Sequence, residues 1–182
     1  MEGLLDVRNP FYYCGLTDLG FWTLDPIDGT SGFLRGGQYA VCLALIVDGT
    51  VKVGVLGCPN LPIVFNDPTS DRGVLVFGES GDKAYESPLN NHSKDQSRVC
   101  QMKKVVDLSQ ATFCESFDSG HSSHEQQSKI AQLLGIKTSS VRMDSQAKYA
   151  TLTRGDAEIY LRLPVTMKYE EKIWVSTCQC LH

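Results

Sequence analysis

Residues 39–47, Tyr-Ala-Val-Cys-Leu-Ala-Leu-Ile-Val, form an unbroken apolar run that ends in Asp48-Gly49. Asp-Gly between two apolar stretches is hairpin-turn chemistry, because these residues accept the positive φ that a tight antiparallel turn demands. The first arm is apolar at both parities, which predicts a strand buried on both faces. The second arm, residues 50–56, alternates, with Val51, Val53 and Val55 on one face and Lys52 and Gly54 on the other. Residues 57–62, Gly-Cys-Pro-Asn-Leu-Pro, then read as the turn that closes the hairpin. The run is far too short to span a bilayer, so the expectation is a sheet-based domain with no membrane segment.

Just upstream, Phe21-Trp22-Thr23-Leu24 leads into Asp25-Pro26-Ile27-Asp28-Gly29-Thr30. An apolar run ending in such a cluster reads as a strand that delivers polar groups at its exposed end. Pro26 removes a donor and holds Asp25 extended. Asp25 and Asp28 can then converge on a hard cation, with the carbonyl of Ile27 as a third oxygen, a donor set that suits Mg²⁺. Gly29 and Thr30 stand where a helix could start, and their N–H groups could hold a phosphate oxygen. The same residues are also ordinary turn chemistry.

Further along, Phe33-Leu34-Arg35-Gly36-Gly37 ends at most a short helix. Gly73-Val74-Leu75-Val76-Phe77 and Lys83-Ala84-Tyr85 read as paired strands, residues 87–98 as a polar loop, and residues 111–117 as another strand. Ser122 and Glu125 have capping-box spacing before a stripe of Ile130, Leu133 and Leu134, with Gly135 as the C-terminal cap. Asp144 or Ser145 caps a second helix that runs to Arg154 and stops at Gly155. Ala157, Ile159, Leu161 and Leu163 alternate with Glu158, Tyr160 and Arg162 as a half-buried strand. No internal repeat is visible.

A net charge of −4 argues against a broad nucleic-acid or anionic-membrane surface. Seven cysteines, scattered through apolar contexts, point to buried reduced thiols rather than a disulfide framework. Together with an N-terminus lacking signal or transit character, this predicts a cytoplasmic protein.

Trp22-Thr23-Leu24-Asp25-Pro26-Ile27-Asp28-Gly29-Thr30 with Gly32-Phe33-Leu34-Arg35-Gly36 resembles the inositol monophosphatase superfamily of Mg²⁺-dependent, lithium-sensitive phosphatases. Gln38-Tyr39-Ala40-Val41, Gly57-Cys58-Pro59-Asn60-Leu61, Gly120-His121-Ser122-Ser123-His124, Asp144-Ser145-Gln146-Ala147-Lys148-Tyr149, Tyr160-Leu161-Arg162-Leu163-Pro164 and Glu171-Lys172-Ile173-Trp174 are similar, within it, to the 3′(2′),5′-bisphosphate nucleotidases of plant SAL and fungal type. The resemblance implies an α/β (α+β) architecture, part of a layered αβαβα sandwich. It implies hydrolysis of 3′-phosphoadenosine 5′-phosphate to AMP and phosphate, with inositol polyphosphate 1-phosphates as a related substrate class. It implies metal ligation by Asp25, Ile27 and Asp28, catalysis by Thr30 with Asp28, and substrate contacts from Gly29, Thr30, His121, Ser145, Lys148 and Arg162. Taken singly, Lys148 also reads as a surface lysine, His121 as a local hydrogen-bonding residue and Arg162 as a solvated or Glu158-paired side chain.

On this footing residues 1–20 are an irregular lead-in, 21–86 a half with the metal and phosphate motif, 87–98 a linker, 99–174 a nucleotide-pocket half and 175–182 a divergent tail. The family carries further carboxylates upstream of the Phe21 position and directly after the Trp174 position, where this chain has Val175. The expectation is a fold incomplete at both ends, with impaired phosphatase activity and self-association through uncovered sheet. Two other readings stand beside it, a non-catalytic nucleotide-binding or interaction module and a decayed duplicate. Cys178-x-Cys180 with His182 is a further, weak metal motif.

Overall fold

The computed structural model describes residues 14–17, 20–90, 96–117 and 124–161; of Cys14–Thr17 it describes the backbone. His121, Arg162, Ser122, the 171–174 motif and Cys178-x-Cys180 lie outside these residues. The elements run β1 (Cys14–Thr17), β2 (Gly20–Asp28), α1 (Thr30–Leu34), β3 (Ala40–Val47), β4 (Thr50–Pro62), β5 (Arg72–Glu79), β6 (Ala84–Pro88) and β7 (Arg98–Val99). They continue with β8 (Phe113–Ser116), α2 (His124–Leu133), β9 (Val141–Met143), α3 (Ala147–Thr153) and β10 (Ile159–Tyr160). β1 to β7 form one antiparallel sheet in sequence order, and β10-β8-β9 form a small parallel sheet. No helix among the described residues is long and apolar enough to cross a membrane.

The Asp48-Gly49 turn forms as expected and joins β3 to β4, with both residues at positive φ. Burial of its arms differs from the sequence pattern. On β3, Ala40, Cys42, Ala44 and Ile46 are buried while the alternate residues are only partly covered. One face of the sheet therefore carries the core, not two. On β4, Ile46 pairs with Val51 but Leu45 pairs with Val53, so Lys52 is an extra residue. This bulge inverts the parity: Val51 is buried, and thereafter Gly54, Leu56 and Cys58 rather than Val53 and Val55. Residues 57–62, expected as a turn, continue β4. Pro59 and Pro62 are tolerated because the β3 ladder ends at Gly57 and the β5 register is interrupted between Cys58 and Pro62. The lead-in, expected to be irregular, contributes β1.

α3 lies between the two sheets. Ala147 and Ala150 pack with Ala40, Cys42, Leu56, Cys58, Leu61, Val74 and Val76 of the large sheet. Leu152 packs with Cys114 of the small one and with Ala157, just before β10. A helix enclosed this way buries nearly all its residues, and six of the seven in α3 are buried. Its N-cap is Gln146, not Asp144 or Ser145. Arg154, just past its end, has its side chain only 2% exposed and donates to the carbonyls of Pro62 and Ile63. It is also ion-paired to Glu86 (2.6 Å) and Asp156 (3.3 Å). Glu158, expected on a polar face with Arg162, instead has its side chain only 6% exposed, accepts from the N–H of Thr112 at 2.6 Å and pairs with Lys103 at 3.6 Å.

The opposite face of the large sheet is lined by a row running from strand to strand. Leu24 pairs with Leu43, Leu43 with Val55, Val55 with Phe77, Phe77 with Tyr85 and Tyr85 with Val99. Val99 is exposed and the others half-buried.

Candidate functional site

Two aspartates three residues apart on a regular strand would face opposite ways. Here Asp25 pairs with Cys42 and Asp28 with Ala40, so three steps on β2 match two on β3. The extra residue is a bulge at Pro26-Ile27, where a missing N–H costs the ladder nothing. It turns both carboxylates to the face that Ala40 and Cys42 share with α3. Asp25 Oδ1 accepts from the N–H of Ile27 at 3.2 Å. Burial pushes the Asp25 carboxyl above its usual value, the Asp28 charge adds to this, and the Ile27 N–H opposes it.

β2 then breaks at Gly29, whose φ of 82° is left-handed. A side chain there would also strike Ser145, since its Cβ would lie 2.6 Å from that of Ser145. Only glycine satisfies both conditions. α1 begins at Thr30, whose hydroxyl lies 3.5 Å from the carbonyl of Ile27.

The second arm of the site is the turn from Asp144 to Lys148. Ser145 has φ 62°, and its Oγ accepts from the N–H of Ala147 at 3.1 Å. This conformation presents the N–H of Gln146 to Asp28 Oδ2, 2.5 Å away, closing a contact between residues 118 apart. Lys148 is buried rather than on the surface. Its Nζ is 3.5 Å from the carbonyl of Met143 and 5.8 Å from the centre of the Tyr160 ring.

The structure thus brings together Asp25, Ile27, Asp28, Gly29, Thr30 and Ser145, with Lys148 one helical turn beyond. The sequence reading missed a pair at the same junction. Arg35 Nη2 donates to Asp144 Oδ2 at 2.8 Å, and the Arg35 guanidinium lies 5.0 Å from the centre of the Phe117 ring. Residues 109 apart in the chain leave no spacing signal.

Asp25 and Asp28 repel each other on a partly desolvated face, an arrangement that a divalent cation relieves. With the Ile27 carbonyl they offer three oxygens, which fits a hard cation that shares its shell with water and phosphate. Among the described residues no group of three His, Cys, Asp or Glu side chains converges as a metal cage.

A sequence model described as the inositol monophosphatase family matches residues 14–174. The chain is 46% identical over 184 aligned positions to a 3′(2′),5′-bisphosphate nucleotidase of Emericella nidulans, covering 95% of this chain and 52% of that protein. It is 46% identical to one from Schizosaccharomyces pombe (95% and 49%) and 47% identical to 3′(2′),5′-bisphosphate nucleotidase 1 of Arabidopsis thaliana (88% and 48%). The chain spans about half the length of these curated relatives. Among solved structures, it is similar to CysQ from Bacteroides thetaiotaomicron, with TM-score 0.59, 20% identity and coverage of 89% of this chain and 58% of that one. Mycobacterium tuberculosis SuhB gives TM-score 0.56, 24% identity and coverage of 80% and 54%. These likenesses show the mixed sheet-and-helix fold.

Proposed function

The chain belongs to the inositol monophosphatase family, and from that membership we propose that it carries the central part of a magnesium-dependent 3′(2′),5′-bisphosphate nucleotidase site. In the reaction, water adds to the 3′-phosphorus of adenosine 3′,5′-bisphosphate, the bond to the 3′-oxygen breaks, and AMP and phosphate are released. The observation that carries this reading is the Asp28–Gln146 contact, which supports one site built from the acid pair and the Ser145–Lys148 turn.

Asp25, Asp28 and the carbonyl of Ile27 would hold Mg²⁺, which when bound offsets the charge of the phosphate. Thr30, at the start of α1 beside the acids, orients the attacking water together with Asp28. The N–H groups of Gly29 and Thr30 contact the scissile phosphate. Ser145 and Lys148 hold the nucleotide, Lys148 as a point charge on phosphate, and His121 and Arg162 are the remaining contacts in this assignment. The free thiols of Cys42, Cys58, Cys100 and Cys114 support a reducing, cytoplasmic setting. The half-buried apolar row on the large sheet supports self-association, which a concentration series in the ultracentrifuge tests.

The functional test is phosphate release from adenosine 3′,5′-bisphosphate with Mg²⁺, alongside an equilibrium titration of the nucleotide. Release that is lost in Asp25→Asn upholds the proposal. Binding without turnover would favour the non-catalytic nucleotide-binding module, and absence of both would refute the assignment.

A further inference from the structure

We infer that Arg35 is a positioning residue that straps the acid-bearing arm to the carboxyl ends of the small sheet and so sets the geometry of the nucleotide site; this rests on the functional reading above. β8 and β9 are parallel, with Ser116 paired to Met143, and their chains leave the sheet at Phe117 and Asp144. The N–H of Phe117 donates to the carbonyl of Met143 at 3.0 Å, so the two exits are themselves joined. Ligands of parallel sheets bind beyond such carboxyl ends. Arg35 touches both exits at once, by its hydrogen bond to Asp144 and by its face over Phe117.

The strap is anchored at each end. Arg35 caps α1, its N–H donating to the carbonyls of Gly32 and Ser31. The Asp144 side chain is 13% exposed against 43% for Arg35, and it packs close to Gly32. A Cβ on Gly32 would sit 2.8 Å from both Asp144 Cβ and Oδ2. Asp144 is also the residue before Ser145, whose left-handed turn aims the Gln146 N–H at Asp28. A shift of Asp144 is therefore passed directly to the Asp28 contact. An exposed ion pair adds little stability by itself. What this one determines is the register between the acid pair and the nucleotide turn.

The test uses the full chain and three variants, Arg35→Ala, Arg35→Lys and Asp144→Asn. Amide exchange is followed residue by residue, and AMP, which cannot turn over, is titrated with and without Mg²⁺. In Arg35→Ala the Gln146 amide should exchange about tenfold faster while the β4 and β5 core amides are unchanged. The enhancement of AMP binding by Mg²⁺ should fall about fivefold. Arg35→Lys, which keeps the cation over Phe117 and one donor for Asp144, should restore both, and Asp144→Asn, which keeps an acceptor but loses the charge, should fall between the parent and Arg35→Ala. Unchanged Gln146 exchange in Arg35→Ala overturns the strap, whatever the nucleotide does. Faster exchange at all amides overturns it too, because Arg35 would then support the whole fold. A parent chain that binds no AMP overturns the functional reading and the positioning role with it, and is told apart by that missing parental signal.

Discussion

Replacing Asp28 by asparagine and by alanine separates two duties that fall on one carboxylate. Its Oδ2 accepts the N–H of the buried Gln146 across 118 residues of chain. Its charge also acts on Asp25, whose carboxyl is raised first by burial and then by Asp28. A hydrogen bond to a charged group contributes about 1.5–3 kcal/mol, and a neutral one about 0.5–1.5 kcal/mol. Alanine removes the acceptor, so it should cost about 2 kcal/mol in EDTA, a sizeable part of a typical 5–15 kcal/mol stability. Asparagine keeps an acceptor and relieves the repulsion with Asp25, so it should stay within about 1 kcal/mol of the parent. Both variants should bind Mg²⁺ at least about tenfold more weakly, since loss of an outer-shell partner alone costs that much. Urea unfolding in EDTA and calorimetric titration with Mg²⁺ measure the two effects. If asparagine destabilises as much as alanine, the fold needs the charge and the separation fails. If either variant binds Mg²⁺ like the parent, Asp28 is not a ligand.

Gly29→Ala combines a left-handed φ with a collision against Ser145, whereas Gly36, at φ 67°, has nothing within 4 Å. Gly36→Ala should cost only the left-handed penalty of about 1–2 kcal/mol, and Gly29→Ala clearly more, in the same urea series. Arg154→Ala leaves Glu86 and Asp156 without their buried partner and should cost about 3–5 kcal/mol; a smaller loss would mean that Arg98, 2.7 Å from Glu86, compensates. Burial raises the Asp156 carboxyl above 3.8 and Glu86 adds to this, against the pull of Arg154 and Arg98. The stability linked to its protonated form is thus present below 3.8 and lost as pH rises through the raised value. Asp156→Asn should therefore gain on the parent as pH increases across that window, and a difference that does not vary with pH would refute the assignment.

Much of the architecture was legible because its signals are local. The Asp48-Gly49 turn, the start of α1 after Gly29, the stop at Gly36 and the cap at Gly135 each depend on a few neighbouring residues and on the φ that glycine accepts. The stretch from Asp25 to Thr30 stood out in sequence by its residue types, two carboxylates, a proline, a glycine and a hydroxyl in six residues, and not by its final geometry.

The sheet's parity was not legible in the same way. Val51, Val53 and Val55 alternate perfectly in sequence, yet one unpaired residue, Lys52, inverts which of their neighbours are buried. A bulge is decided by the partner strand, so no pattern on β4 alone announces it. The bulge at Pro26-Ile27 shows the same thing at the site, where it puts Asp25 and Asp28 on one face.

By itself, then, the sequence marked the Asp48-Gly49 hairpin, the helix ends at Gly36 and Gly135 and the residue types of the acid-bearing stretch, but not the continuation of β4 through residues 57–62. Only the tertiary structure joined them, through Asp28 to Gln146, Gly29 against Ser145 and Arg35 to Asp144. It also placed Lys148, whose alternative reading was an ordinary surface lysine, among the buried residues of α3. The reason is physical. Turns and helix ends are settled by interactions over a few residues, whereas these contacts join groups more than a hundred residues apart, and they exist only once α3 is enclosed between two sheets.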